Sequence, residues 1–103
     1  MSKFNTKGIY MTNGIKIDLD QNKIRLADIQ SCIERHFEND GDECKEDKKA
    51  NEEAIKNNDG RVFSVFHIHG AKIYIITDGL NLANDPEHGT TYPMTTILFP
   101  EEY

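Results

Sequence analysis

The sequence predicts a small α+β domain in which two helices pack on a small, mostly antiparallel sheet, with elements in the order β-α-α-β-β-β. Three observations support this prediction. Apolar residues recur at helical spacing from 26 to 37, two β-rich segments between 61 and 77 are separated only by His69-Gly70, and 103 residues suffice for one hydrophobic core. We therefore expect a single domain spanning residues 1–103.

The first strand is expected from Lys7 to Thr12, where β-branched and aromatic residues concentrate, and Asn13-Gly14 supplies a turn after it. The next segment, up to Lys23, is ambiguous. Its apolar residues alternate with charged ones, as in a second hairpin strand, but the segment also fits a short helix. The sequence leaves both alternatives open.

The first helix is predicted from Leu26 to Phe37, and Asn39-Asp40-Gly41 ends it. Its apolar residues, which recur every three or four positions, form one face that packs on the sheet. This face consists of Leu26, Ile29, Cys32, Ile33 and Phe37.

A second helix is predicted to run to about Lys56. Asp40, followed three residues later by Glu43, has the form of a capping box at its start. One stripe of this helix should face the protein interior, which would turn two polar side chains inward. The stripe consists of Cys44, Asp47, Asn51, Ala54 and Ile55.

Residues 61–68 and 71–77 are predicted to form a tight antiparallel hairpin. Pairing outward from the turn places Ile68 opposite Ala71 and fixes the whole register. One face of the hairpin should belong to the core. The other face is half apolar, so that a helix, another chain or water has to cover it.

A polar connection from Asp78 to Pro93 precedes the last strand, Thr95–Phe99. It contains two glycines and two prolines and is long for a connection between strands. Loops of this length often carry function, and we expect this one to contact a partner.

The chain carries a net charge of −6, from twelve Lys and Arg against eighteen Asp and Glu. Since nucleic-acid binding depends on neutralising phosphates, this charge opposes direct nucleic-acid binding and favours a basic protein partner. No apolar run is long enough to span a membrane, and no apolar stretch follows Lys3 as in a secretory signal. We expect a cytoplasmic protein.

The negative charge is concentrated between Glu38 and Glu53, where eight acidic residues stand against three lysines. Two interpretations remain open: a solvated helix face, or an acidic docking surface for a basic partner. The docking hypothesis assigns partner binding to residues of the second helix and of the long connection. These are Asp42, Glu43, Glu46, Glu52, Glu53, Asp85 and Glu87.

A zinc site is a second hypothesis. His67 and His69 would point to the same side of a regular strand, and Cys32 and His36 lie four residues apart on one helix face. Cys44 opens the next helix nearby. The alternative is that the two strand histidines are an ordinary surface pair, since the chain contains no Cys-x-x-Cys.

Metal-dependent hydrolysis is an alternative function that would use Asp42, Glu46 and Asp47, since carboxylates one helical turn apart can share a cation. These residues equally fit the role of carboxylates at a helix N-terminus, which complement its dipole. The sequence has no phosphate-binding glycine loop, no Gly-x-Ser-x-Gly and no His-Glu-x-x-His. We therefore expect no enzymatic activity.

Two strings carry a resemblance to a known family. The first is Gly-Asp-Glu-Cys-Lys-Glu-Asp at 41–47, continued by Asn51-Glu52 and Ile55; the second is Thr95–Tyr103, preceded by Ile75-Ile76-Thr77. In these strings the chain resembles a family of small uncharacterised proteins of Firmicutes plasmids, phages and integrative elements. The resemblance covers most of the chain.

Proteins of mobile elements often disarm host defence, so the resemblance implies an anti-CRISPR inhibitor of a type II-A effector. RNA-guided nucleases hold nucleic acid in basic channels, and an acidic domain can occupy such a surface and block DNA loading. The leading hypothesis is thus a non-enzymatic inhibitor whose partner is an RNA-guided nuclease or another basic protein. The alternatives are a small metal-dependent hydrolase and a zinc-binding structural or interaction module.

Overall fold

A computed structural model describes residues 5–6, 8–57, 61–78, 84–85, 89–92 and 94–103. The described helices and strands follow one another along the chain as β1 (Asn5–Thr6), β2 (Ile9–Met11), α1 (Asn13–Asp20), α2 (Leu26–Phe37), α3 (Lys45–Asn57), β3 (Val62–Ile68), β4 (Ala71–Asp78), β5 (Asn84–Asp85), β6 (Gly89–Tyr92), β7 (Met94–Leu98) and a 3₁₀ helix (Pro100–Glu102). No described helix combines the length and apolarity that a membrane-spanning helix needs.

The main sheet has the strand order β2-β7-β4-β3. The β3–β4 and β4–β7 pairs are antiparallel, whereas β2 pairs with β7 in parallel. Strands β1, β6 and β5 form a second, small set in that order. The α+β class is confirmed, but the predicted element order is incomplete, because α1 and the short strands β1, β5 and β6 are additional.

The predicted hairpin is confirmed in register, from Ile68 opposite Ala71 to Phe63 opposite Ile76, and each outer bound differs from the prediction by one residue. His69 and Gly70 have φ angles of 49° and 82°. Two successive positive φ values define the tight turn whose twist matches that of the flanking strands. Glycine meets this demand at the second position without strain.

Helix α1 resolves the ambiguous segment, and the predicted turn at Asn13-Gly14 is wrong. This dipeptide opens the helix because Glu102, from the other end of the chain, lies at its N-terminus. The Gly14 N–H donates to Glu102 Oε2 at 3.0 Å, and Thr12 Oγ1 donates to Glu102 Oε1 at 2.6 Å. The carboxylate thus bonds a backbone donor that the first turn cannot satisfy internally.

Substituting Glu102 by alanine should lower the free energy of unfolding by about 1 kcal/mol, the usual cost of losing a helix cap. The substitution removes the acceptor of both the Gly14 N–H and the Thr12 hydroxyl. Urea denaturation measures the effect. Glu101→Ala, at the exposed neighbouring position, is the matched control and should change little; equal losses in both variants would contradict the capping role.

One core lies between helices α1 and α2 and one face of the main sheet. Its members are Ile15, Ile24, Ile29, Cys32, Phe66, Ile68, Ile73, Ile75 and Ile97. The predicted bounds of α2 are confirmed, and Asn39, with φ of 55°, ends it. Leu26 was wrongly assigned to the buried face and is 56% exposed, whereas His36, on the same helix, is fully buried.

Helix α3 begins at Lys45, so the capping box predicted at Asp40 is wrong. The side chain of Glu43 turns toward β3 instead of the helix start. Of the predicted inward stripe, Cys44 and Asp47 are exposed and Asn51 is buried. At the far end of the stripe, Ile55 packs on Val62. The helix therefore lies along the edge of the sheet and not over its face.

Candidate functional site

On the outer edge of β3, the backbone of Phe63 forms hydrogen bonds with one side chain of α3, that of Asn51. The Phe63 N–H donates to Asn51 Oδ1 at 3.0 Å, and Asn51 Nδ2 donates to the Phe63 carbonyl oxygen at 2.7 Å. The carboxamide therefore takes the place of a neighbouring strand at this residue. Asn51 is 3% exposed, and its Nδ2 also donates to Asn39 Oδ1 at 2.9 Å.

The next residue of β3 whose backbone faces outward is Val65, and it forms hydrogen bonds with the loop before α3. Its N–H donates to Glu43 Oε1 at 3.2 Å, and its carbonyl oxygen accepts from the Asp42 N–H at 2.7 Å. A Cβ atom at position 41 would collide with the Glu43 carboxylate and approach Ser64 Cβ to 3.1 Å, so only glycine fits. These residues close an edge that would otherwise invite strand pairing.

The predicted docking surface loses one member, because Glu43 is 8% exposed and bonded to β3. Asp42 bonds His67 Nδ1 and Arg35 Nη2, each at 3.2 Å. The hydrogen bond from His67, assisted by Arg35, lowers the pKa of Asp42. Glu46, Glu52 and Glu53 are exposed as the docking hypothesis requires. The Asp85 side chain and Glu87 lie outside the described residues. Within the predicted 78–93 connection the structure describes the last residue of β4 and the short strands β5 and β6.

Charge on α3 is balanced in number but segregated in position. The helix has four carboxylates and four lysines, and most of the negative surplus of residues 38–53 precedes the helix. Helical geometry places Glu46, Asp47, Ala50 and Glu53 on one flank and the four lysines, together with Glu52, on the other. We call Glu46, Asp47 and Glu53 the acidic flank.

A groove of about 550 Å³ opens beside the acidic flank, on the face of the hairpin that points away from the core. We call it the aromatic groove, because three of its lining residues are Phe63, Tyr74 and Tyr103. The other side chains that line it are those of Asp47, Ala50, Asn51, Arg61 and Pro100.

The three rings of the groove pack edge to face. Phe63 and Tyr74 have centroids 4.8 Å apart at 62°, and Tyr74 and Tyr103 are 6.2 Å apart at 86°. The guanidinium carbon of Arg61 lies 5.6 Å from the Tyr103 ring centroid. Tyr103 is 63% exposed. The groove therefore presents aromatic rings to solvent next to the Asp47 carboxylate, an arrangement that attracts cations.

Sequence reasoning identified this face of the hairpin as half apolar but did not identify the groove. The pairing of Phe63 and Val65 with Ile76 and Tyr74 was the available signal. The return of Tyr103 over Tyr74 has no local signal, since it depends on the 3₁₀ helix that follows β7.

The five predicted zinc ligands have separate surroundings. Buried His36 lies with Nδ1 2.6 Å from Ser64 Oγ and Nε2 2.8 Å from Thr77 Oγ1. His69 Nε2 bonds Asp28 Oδ2 at 3.2 Å, and His67 bonds Asp42. Cys32 is buried and Cys44 exposed. Within the described residues, no three His, Cys, Asp or Glu side chains are grouped as metal ligands, and zinc binding stays a prediction.

The carboxylates of the hydrolase hypothesis are also described. Glu46 and Asp47 lie in the first turn of α3 and are exposed, as expected for charges that complement the helix dipole. Asp42 is bonded to Arg35 and His67. Geometry thus gives these three residues separate roles, and no observation favours a shared cation.

Comparison with known proteins gives no relative from which to take a function. The resemblance to small mobile-element proteins therefore stays a prediction. The acidic flank and the aromatic groove are the features from which function has to be inferred. No protein-family model, no curated protein and no solved structure matches this chain.

Proposed function

We propose that this chain is a non-enzymatic protein-binding domain that contacts a basic partner through the acidic flank of α3 and the adjoining aromatic groove. One observation carries the proposal: the exposed carboxylate of Asp47 lines an open groove that also contains three aromatic rings, and the exposed Glu46 and Glu53 lie on the same flank of α3. A rim of charge around an aromatic centre is the usual anatomy of a protein–protein contact.

Aromatic side chains give the groove its binding energy in this proposal. Tyrosines bury much apolar area at small cost in side-chain entropy, and their hydroxyl groups remain able to form hydrogen bonds at a wet rim. Tyr103 and Tyr74 present such surface beside Phe63. Ala50 lines the groove from α3, and its small side chain leaves the carboxylates of the acidic flank accessible to a partner.

The charge of the domain indicates which class of partner binds at the groove. The net charge of −6 raises the rate at which a basic surface encounters the domain, and local carboxylates orient the encounter. The lysines on the opposite flank of α3 oppose docking of the same partner in a reversed orientation. A basic protein surface therefore meets the domain at the groove side of α3.

We further propose that the partner is an RNA-guided nuclease, a type II-A CRISPR effector, and that binding blocks DNA loading in the cytoplasm. Two arguments support this step. The effector holds nucleic acid in a basic channel, which is complementary to the acidic flank, and the sequence resembles proteins of mobile elements. An occupant of the channel needs no catalytic residue in order to inhibit, because it competes directly with DNA.

Reversing two charges of the acidic flank, with Glu46→Lys and Glu53→Lys, should weaken inhibition of a purified, guide-loaded type II-A effector about tenfold. DNA binding by the effector, titrated with the chain at two salt concentrations, measures this. The matched control is Asp20→Lys with Glu34→Lys, which makes the same change of net charge at exposed positions on α1 and α2. Inhibition that responds equally to both pairs, or to neither, would contradict the assignment of the flank.

A further inference from the structure

We infer that the aromatic groove recognises an arginine side chain of the partner, and that Arg61 occupies part of this site in the free protein. This inference rests on the proposed function, because it specifies the chemistry of the group that enters the groove. It commits to a guanidinium, which is planar, permanently charged and able to stack on a ring.

The first argument is the position of Arg61. Its guanidinium carbon lies 5.6 Å from the centroid of Tyr103, within the range of a cation–π contact. Both residues line the groove. The protein thus already places one guanidinium against the aromatic surface, and this contact shows which cation geometry the rings accept.

The second argument is the carboxylate beside the rings. Asp47, a member of the acidic flank, lines the same groove as Phe63, Tyr74 and Tyr103. An arginine from a partner can stack on a ring and direct its N–H groups to a carboxylate at the same time. A lysine ammonium is more strongly hydrated and lacks the planar fork, so that the combination of ring and carboxylate selects arginine.

The third argument is the space around the Arg61–Tyr103 pair. A second hollow of about 270 Å³, on the same face of the sheet, is lined by Ile76, Thr96, Leu98 and Glu102 and again by Arg61 and Tyr103. The pair is therefore common to two hollows. Displacement of Arg61 by an incoming guanidinium would join them and make room for the apolar stem of the arriving side chain.

The inference is tested with the full chain and the peptide acetyl-Gly-Arg-Gly-Arg-Gly-amide, compared with peptides in which lysine or citrulline replaces arginine. Ring resonances of Tyr74 and Tyr103 report binding. The arginine peptide should bind most tightly, and the citrulline peptide, which keeps the shape but loses the charge, should leave the resonances unshifted. Equal binding of the three peptides would overturn the inference.

Variants locate the site. Arg61→Ala removes the internal competitor and should tighten binding of the arginine peptide about two- to five-fold, which corresponds to one exposed cation–π contact. Tyr103→Ala and Asp47→Asn should weaken binding, whereas Tyr10→Ala removes an exposed tyrosine outside the groove and should not. Weaker binding by Arg61→Ala, or an equal loss in Tyr10→Ala, would overturn the assignment.

The peptide titration tests the inference and the effector assay tests the proposed function, so that either can fail without the other. Arginine-selective binding together with an unaffected effector would support the inference and contradict the proposed inhibitor. Inhibition of the effector that is lost in Tyr103→Ala, with no arginine-selective peptide binding, would overturn the inference and leave the proposed function intact.

Discussion

Acidification from pH 6.5 to pH 3 should remove roughly 4 to 5 kcal/mol of the free energy of unfolding through His36 alone. Burial lowers the pKa of His36 from 6.5 to about 3. The folded protein therefore holds a neutral imidazole while the unfolded chain binds a proton. Stability is complete above pH 6.5 and falls as the pH drops toward 3, by about 1.4 kcal/mol per pH unit.

The neutral form is also the one that the surroundings of His36 accommodate. One ring nitrogen faces Ser64 Oγ and the other faces Thr77 Oγ1, whose hydroxyl oxygen lies 2.6 Å from Thr95 Oγ1. A neutral imidazole offers one donor and one acceptor to this chain of hydroxyl groups. A charged ring would offer two donors and no acceptor to these hydroxyl groups, and its charge would lose hydration on burial.

Urea denaturation between pH 4.5 and pH 6.5 isolates the contribution of His36. Below pH 4.5, Asp42 and Glu102, whose pKa values are lowered chiefly by bonds from His67 and Thr12, begin to add their own loss of stability. His36→Gln should remove most of the slope in this interval. The double variant His67→Gln with His69→Gln, at exposed positions, should retain it; a slope that persists in His36→Gln would show that another group titrates.

Asn51→Ala should lower the free energy of unfolding by about 3 kcal/mol, because it leaves several backbone and side-chain groups without their partner. The Phe63 N–H and carbonyl oxygen both lose their bonds, and Asn39 Oδ1 loses a donor. The variant should also self-associate, since an uncapped edge strand is a template for pairing with another chain.

Asn57→Ala is the matched control for Asn51→Ala. It makes the same chemical change at an exposed position in the same helix and should alter stability by less than about 0.5 kcal/mol. Thermal denaturation and sedimentation velocity measure stability and self-association separately. If Asn51→Ala were as stable and as monomeric as Asn57→Ala, the carboxamide would not be what closes the edge of β3.

The parts of the fold that sequence predicted correctly are those held by local patterns. The hairpin follows from two β-rich segments and a two-residue turn, and helix α2 follows from the spacing of Ile29, Cys32 and Ile33. Helix α1 could not be predicted from local patterns, because the carboxylate that bonds its first turn is that of Glu102, 88 residues after Gly14. The parallel pairing of β2 with β7 is equally remote in sequence.

The candidate site was predicted less completely than the fold. Sequence located an acidic segment and a half-apolar sheet face, but it could not distinguish carboxylates that bond the protein itself from those that face solvent. Glu43 has the same local appearance as Glu46, yet one bonds Val65 and the other is exposed. The difference arises from the edge of a strand some twenty residues later, which no window around residue 43 contains.

The central position of β7 in the main sheet governs when the protein can fold. Residues 94–98 lie between β2 and β4, although they are made after both. During translation β2 emerges before β7, which is its partner in the main sheet, so this sheet cannot close until residues 94–98 have been made. The β3–β4 hairpin, whose strands are neighbours in sequence, can form before that point, whereas β2 remains unpaired in the main sheet.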